Sequence, residues 1–312
     1  MTATIIPDTL SQKNLLTLAD LTAGDIHLLL NTAAKTKADP ESVRDSLGRK
    51  TIVLLFEKPS LRTRMSFEVG VFQLGGQALY LDHRLGSRES VRDYAKNLER
   101  WAHGIVLRTF SHKAQEEFVV ESNIPVINGL SDLYHPCQAL ADSFTLSEHL
   151  GSLDGAKLAY VGDGNNVCHS LMIGAAQLGL TLTVITPPGF EPNPDIVKQT
   201  QALAEVSGAR ISIGTDLDAA VDHHAVYTDT WVSMGQDHEA EERRKAFMPY
   251  QVNAKVMSMV GADSVFMHVL PAHRGFEVTD EVIDSSQSVV YDQAENRMHV
   301  QNALMIHTIG TS

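Results

Sequence analysis

Four stretches of this 312-residue chain concentrate groups that hold anions or polarise a carbonyl. The first is Phe56-Glu57-Lys58-Pro59-Ser60-Leu61-Arg62-Thr63-Arg64. An apolar run ends there, Pro59 stops it and a helical pattern begins, so unpaired backbone N–H groups and the positive end of a helix dipole converge. Ser60 and Thr63 add hydroxyls and Arg62 a planar fork suited to phosphate, which makes an anion cradle. It lacks the Gly-x4-Gly-Lys spacing of a P-loop, and a solvated basic helix start is the bland alternative. The second is Arg108, which directly follows an apolar run and either faces a ligand or is a surface charge. The third, His135-Pro136-Cys137-Gln138, sets an imidazole and a carboxamide at a helix start, able to donate to a carbonyl oxygen, or else a lone capping histidine. No companions stand at metal-ligand spacing, so neither a metal nor another cofactor is expected.

The fourth stretch, Val161-Gly162-Asp163-Gly164-Asn165-Asn166-Val167, partly imitates a dinucleotide-binding turn. Val167 replaces the third glycine, and the next predicted strand runs into Thr186-Pro187-Pro188 without an acidic ribose partner, so a nicotinamide oxidoreductase is set aside. Two side-chain amides at a helix start suit a carboxylate, although an asparagine-rich turn is the plain alternative. Farther on, Asp229 precedes Thr230-Trp231-Val232-Ser233-Met234-Gly235-Gln236. An acid there suits an α-ammonium group and Asn166 an α-carboxylate, which together describe an amino-acid site; an ordinary turn cap at Asp229 competes.

These groups need elements to aim them. Short β-rich runs alternate with helical patterns from about residue 51 onward, the signature of a parallel α/β sheet. Strands are predicted at 51–56, 77–81, 105–108 and 125–127, then at 157–162, 181–185, 210–213, 225–229, 264–270 and 288–291. Ser90 to Asp93 reads as a capping box, with Val91, Tyr94, Leu98 and Trp101 forming a buried helix face after it. Pro136 opens a helix that should stop at Gly151, and a final helix is predicted from about Glu295. The expected architecture is two doubly wound parallel-sheet α/β domains linked by interdomain helices: 1–150, with 295–312 packing back on it, and 151–294. In such sheets ligands bind beyond the carboxyl ends of the strands, where all four stretches fall.

Composition narrows the partners. The formal net charge of -13 repels polyanions, so nucleic acid is not expected and any anionic substrate must meet a local basic cluster. No segment approaches the roughly 18 uninterrupted apolar residues of a membrane span, and 1–20 lacks a signal-peptide pattern. With only Cys137 and Cys168, both inside polar motifs, a reduced, cytoplasmic setting is expected.

Taken together, these segments resemble the aspartate/ornithine carbamoyltransferase family from about residue 10 to 312. The family's Ser-x-Arg-Thr appears as Ser60-Leu61-Arg62-Thr63 and its His-Pro-x-Gln as His135-Pro136-Cys137-Gln138, motifs shared by both branches that imply carbamoyl phosphate. Asp229 with Ser233-Met234-Gly235 is similar to the ornithine branch's loop, which closes over the amino acid, and Gly162 to Asn166 is similar to its Asn-bearing turn. The resemblance implies that Ser60, Leu61, Arg62, Thr63, Arg108, His135, Gln138, Val269, Leu270 and Arg297 hold carbamoyl phosphate, while Asn166, Asp229, Ser233 and Met234 hold L-ornithine. It implies catalytic roles for Arg62, Thr63, Arg108 and His135, and a homotrimer in which a neighbour's loop, carrying Arg84 or Arg88, reaches each phosphate.

Two departures stand out. The ornithine branch usually has His-Cys-Leu-Pro, whereas this chain reads His268-Val269-Leu270-Pro271, and a valine neither shares a proton nor accepts from an amine. Where many relatives have glutamine in the neighbour-reaching loop, Arg84 appears. The expected reaction is attack of the neutral ornithine amine on carbamoyl phosphate, oxyanion stabilisation by Thr63, Arg108 and His135, and departure of phosphate with the amine proton. Rival expectations are a carbamoyltransferase for putrescine, N-acetylornithine or N-succinylornithine, kept open by Val269, and a catalytically silent regulatory relative.

Overall fold

A computed structural model describes residues 8–232 and 237–310. The chain divides into two compact units, Met1–Phe144 with Glu295–Ser312, and Thr145–Ala294.

The first unit opens with α1 (Ala23–Ala38), started by a reciprocal cap in which Thr22 and Asp25 each accept the other's backbone N–H. There follow β1 (Thr51–Phe56), α2 (Leu61–Gln73), β2 (Gln77–Asp82), α3 (Val91–Leu98), β3 (Gly104–Arg108), α4 (His112–Glu121), β4 (Val126–Leu130) and α5 (Pro136–Leu150). Every strand pairing is parallel and the order is β2-β1-β3-β4. Residues 52–56 of β1 and all of β3 are buried, as strands covered on both faces must be. Val53, Leu55, Ile105, Leu107 and Phe118 belong to the core cluster packed on one face of this sheet. The chain winds from β1 to β2 on one side and then to β3 on the other, so the crevice of this sheet opens at the carboxyl ends of β1 and β3.

The second unit contains β5 (Lys157–Val161), α6 (Asn166–Gln177), β6 (Thr181–Ile185), α7 (Pro194–Ser207), β7 (Arg210–Gly214), β8 (Ala225–Thr228), α8 (Ala240–Phe247), α9 (Ala254–Val260), β9 (Val265–His268) and α10 (Asp280–Ile283). Its parallel sheet runs β7-β6-β5-β8-β9, with the reversal between β5 and β8. Val161, Ile185, Val226 and Phe266 pack with Val256 and Val260 into its core. The last helix, α11 (Val290–Thr308), starts in this unit and ends in the first.

Three local expectations are corrected. Residues 288–291 form no strand: Ser288 makes one isolated bridge to Phe266, and α11 begins at Val290, earlier than the predicted Glu295. Trp101 lies beyond the end of α3 and is 70% exposed, so it leaves the helix face that Val91 and Leu98 do bury. Ser90 caps α3, but Asp93 accepts from the Ser90 hydroxyl instead of its N–H, so the box is only half made. Gly151, at φ 74°, ends α5 where predicted. Among the described residues no helix is long and apolar enough to cross a membrane.

Candidate active site

In the first unit the polar groups gather beyond β1 and β3. Ser60 caps α2 by accepting the Thr63 N–H at 3.4 Å, which buries Thr63 on the first turn and leaves Leu61 and Arg62 exposed. Arg297, buried on α11, donates through Nη2 to Thr63 Oγ1 at 3.3 Å and through Nη1 to Gln138 Oε1 at 2.7 Å. Gln138 donates from Nε2 to Asp142 Oδ1 at 2.9 Å. A carboxylate only accepts and a guanidinium only donates, so the carboxamide has one orientation. One N–H of its NH2 group meets Asp142 and its oxygen meets Arg297, which leaves the second N–H as the donor that the sequence reading offers to a carbonyl oxygen.

Arg108 ends β3 and is buried. Burial, followed by the nearby Arg297 cation, pulls its guanidinium down to about 10, with Tyr80 opposing, so it remains charged at neutral pH. Its Nε is buried and makes no hydrogen bond among the described residues. Leaving such a donor unmatched costs roughly 1 to 3 kcal/mol, which a bound acceptor relieves. His135 is also buried; burial first, then Arg297 and Arg108, hold it well below the usual 6.5, so the ring is neutral. Two buried cations and a neutral imidazole thus share one end of this sheet, within a chain of net charge -13.

Around this cluster, Glu57 fastens two loops. Its Oε1 accepts the Leu85 N–H at 2.9 Å and its Oε2 the Phe110 N–H at 2.7 Å. Lys58 stands 4.4 Å and Arg84 6.0 Å from the Phe110 ring centroid. Arg62, Arg84 and Arg88 are exposed, and among the described residues no hydrogen bond joins them to Arg297, Arg108 or His135.

The second unit presents its own set beyond β5 and β8. Asn165 caps α6, accepting the Val167 and Cys168 N–H groups at 3.0 and 3.1 Å, while its Nδ2 donates to Asp229 Oδ2 at 2.8 Å. Asn166, the next residue, is half-buried. Asp229 is buried just after β8; burial raises its carboxyl, while His268, Asn165 and the Thr230 N–H work against the rise. Gly164 is required by close approach, since a Cβ there would lie 2.3 Å from the Pro192 nitrogen. The Gly164 N–H is already used within the chain, donating to the Phe190 carbonyl at 2.9 Å.

Arg243 on α8, also buried, donates to Asp163 Oδ2 at 3.0 Å, to the Trp231 carbonyl at 3.3 Å and to Glu239 Oε2 at 2.9 Å. Ser233 and Met234 lie outside the described residues. Val269 and Leu270, half-buried, follow β9. His268 Nδ1 accepts the Leu270 N–H at 2.8 Å, so Nε2 carries the proton and donates to Glu277 at 3.1 Å. Two open surface hollows of about 590 and 560 Å³, lined by residues such as Thr181 and Arg210, or Lys50 and Trp101, lie at the opposite strand ends and gather no such set.

Residues 13–148 match the carbamoyl-P binding domain of aspartate/ornithine carbamoyltransferase, and residues 154–308 match the Asp/Orn binding domain. The chain belongs to the aspartate/ornithine carbamoyltransferase family. Among relatives of this carbamoyltransferase, an ornithine carbamoyltransferase of Vibrio sp. (strain 2693) is 49% identical over 297 residues, covering 94% of this chain and 98% of that one. One from Thermococcus kodakarensis is 48% identical over 310 residues, covering 96% and 98%. The solved ornithine carbamoyltransferase from Pyrococcus furiosus superposes with a TM-score of 0.90 at 47% identity, covering 95% of this chain and 96% of that one.

Four residues that organise these carbamoyltransferase clusters escape a reading of motifs. Glu57 sits inside a motif but acts through backbone N–H groups of two distant loops. Asn165 is one of the two amides at its helix start, but its part as the cap of α6 and the partner of Asp229 lies in hydrogen bonds that a motif does not show. Asp142, one helical turn after Gln138, and Arg243, in a charged helix, carry no motif at all.

Proposed function

We propose that this chain transfers the carbamoyl group of carbamoyl phosphate to the side-chain amine of L-ornithine, giving L-citrulline and phosphate. The observation that carries the acceptor is Asp229, a buried acid fixed by Asn165 where the second sheet reverses. An α-ammonium group is drawn to it, whereas the extra carboxylate of aspartate would call for a cation. N-acetylornithine and N-succinylornithine lack that α-ammonium charge, and putrescine lacks the α-carboxylate that Asn166 is offered to meet.

In this reading the first domain holds carbamoyl phosphate. Ser60, Leu61, Arg62 and the start of α2 receive the phosphate, Arg297 and Gln138 orient the carbamoyl group, and Arg108, Thr63 and His135 donate to its carbonyl oxygen. Asn166, Asp229, Ser233 and Met234 hold ornithine in the second domain. An ammonium has no lone pair, so the amine reacts in its neutral form, although its ordinary pKa is near that of lysine, about 10.4. The nitrogen adds to the carbonyl carbon, charge collects on the oxygen, and the C–O bond to phosphate breaks. The departing phosphate takes the amine proton. Donors already aimed at that oxygen are worth roughly 3 to 4 kcal/mol each in such steps.

The chain works as a cytoplasmic homotrimer in this proposal. What supports self-association is a stripe on α2, with Leu61 75% and Phe72 81% exposed and Met65 and Val69 between them, beside the exposed Leu79 and Leu81 of edge strand β2. Arg62 shares that helix, so Arg84 or Arg88 of a neighbouring copy would add to its anion field. Asp229→Asn tests the acceptor assignment: the KM for ornithine should rise roughly 10- to 100-fold with that for carbamoyl phosphate little changed. An unchanged ornithine KM would remove Asp229 from the site.

A further inference from the structure

We infer that Asp142 is a positioning residue of the carbamoyl-transfer site, acting through the orientation of the Gln138 carboxamide; the inference rests on Gln138 being a carbamoyl-phosphate ligand. Both residues lie on α5 at a spacing of four, which stacks them on one helix face. Asp142 is fully buried and Gln138 almost so, on a helix whose residues 136–146 are all buried. A leucine at position 142 would suit such a segment, and a buried carboxylate is hard to justify by stability alone.

What it does is visible in the hydrogen bonds. A carboxamide is nearly symmetric in shape but opposite in chemistry at its two ends, so packing alone leaves its orientation unset. Asp142 Oδ1 takes the Gln138 N–H at 2.9 Å, which leaves Oε1 to receive Arg297 Nη1 at 2.7 Å. Arg297 in turn reaches Thr63 Oγ1 at 3.3 Å. One carboxylate therefore sets the sense of a chain of donors and acceptors running from α5 through α11 to the first turn of α2. Without it the carboxamide is free to rotate by half a turn, bringing its NH2 group against a guanidinium that has only donors to offer.

Two variants separate this role from a packing role. Asp142→Asn keeps an acceptor oxygen in place and should hold kcat/KM for carbamoyl phosphate within about fivefold of the parent. Asp142→Leu fills the space without an acceptor; kcat/KM should fall roughly 10- to 100-fold in enzyme that is still folded at the assay temperature. Repeating the change in a Gln138→Ala background should make it nearly silent, because the carboxamide it orients is gone. Wild-type kinetics in Asp142→Leu, or a loss that persists undiminished in Gln138→Ala, would overturn the proposal. If the leucine variant does not fold, Asp142→Ala in both backgrounds reads the same coupling. A Gln138→Ala enzyme with unaltered carbamoyl-phosphate kinetics would instead overturn the ligand assignment beneath it, a result distinguishable from failure of the coupling alone.

Discussion

At the scale of single residues, the proposed chemistry rests most on Arg108. It is a buried cation with a buried Nε that no described residue satisfies, at the carboxyl end of β3. Arg108→Ala should lower kcat by about 100- to 1,000-fold, as loss of an oxyanion donor does, in steady-state citrulline assays. A change under about threefold would place the oxyanion elsewhere. The pH profile follows from the same cluster. His135 lies well below 6.5 and is already neutral at pH 7, so it contributes no inflection there, and Arg108 keeps its charge up to about 10. Rate at low ornithine should therefore climb with pH above 7 as more of the amine is neutral, without a step near 6.5. Most of these residues were legible in the chain because they follow apolar runs directly. Arg243 was not, since a buried ion pair with Asp163, 80 positions away, leaves no local pattern, and Asp142, four residues after Gln138, looks like any polar residue of a helix until its burial is seen.

At the scale of elements, the turn from β5 into α6 is the most exacting. Gly164→Ala would press a Cβ within 2.3 Å of backbone at Pro192, where no side chain can swing away. Loss of about 2 kcal/mol or more is expected in denaturant unfolding, together with weaker ornithine binding, because Asn165 is the next residue. Beside it, Arg243 and Asp163 form a buried ion pair that burial strains: the Asp163 carboxyl is pushed up to about 6 by desolvation even against the guanidinium. Asp163→Asn should cost about 3 to 5 kcal/mol by leaving a buried cation poorly matched, measurable by urea unfolding. A smaller loss, under about 1 kcal/mol, would show the pair to be dispensable. Strand patterns located β1 to β9, whereas α1 and α7 to α10 carried no range in the sequence reading, and the one false strand has a physical cause. The run Ser288-Val289-Val290-Tyr291 is rich in β-branched residues, yet one bridge to Phe266 and the buried Val289 and Val290 are enough to start a helix there. Such preference is context, not backbone law.

At the scale of the molecule, two parallel sheets each bring their chemistry to the point where strand order reverses: Glu57 and Arg108 in one, Asn165 and Asp229 in the other. That arrangement was readable from alternating strands and helices and from the polar residues that follow them. The acid response of the first unit is also set by its interior. His112, His135 and His307 are all held below 6.5 with burial as the leading cause, so the unfolded chain takes up these protons before the folded one does. The stability they contribute is present above 6.5 and falls as pH drops through that value. The protection factors of β1 and β3 amides against hydrogen exchange should fall between about pH 7 and pH 5.5. Equal protection at both pH values would mean that these rings are not buried in the neutral form.

In the proposed reaction a fixed acid in the second domain selects a basic amino acid for carbamoyl transfer. That selection is tested most directly by supplying carbamoyl phosphate with ornithine, N-acetylornithine, N-succinylornithine, putrescine or aspartate and measuring the carbamoylated product. Citrulline should form from ornithine at a kcat/KM at least about 100-fold above that for any other acceptor, the scale of one lost charged contact. Preferential carbamoylation of aspartate would contradict the claim.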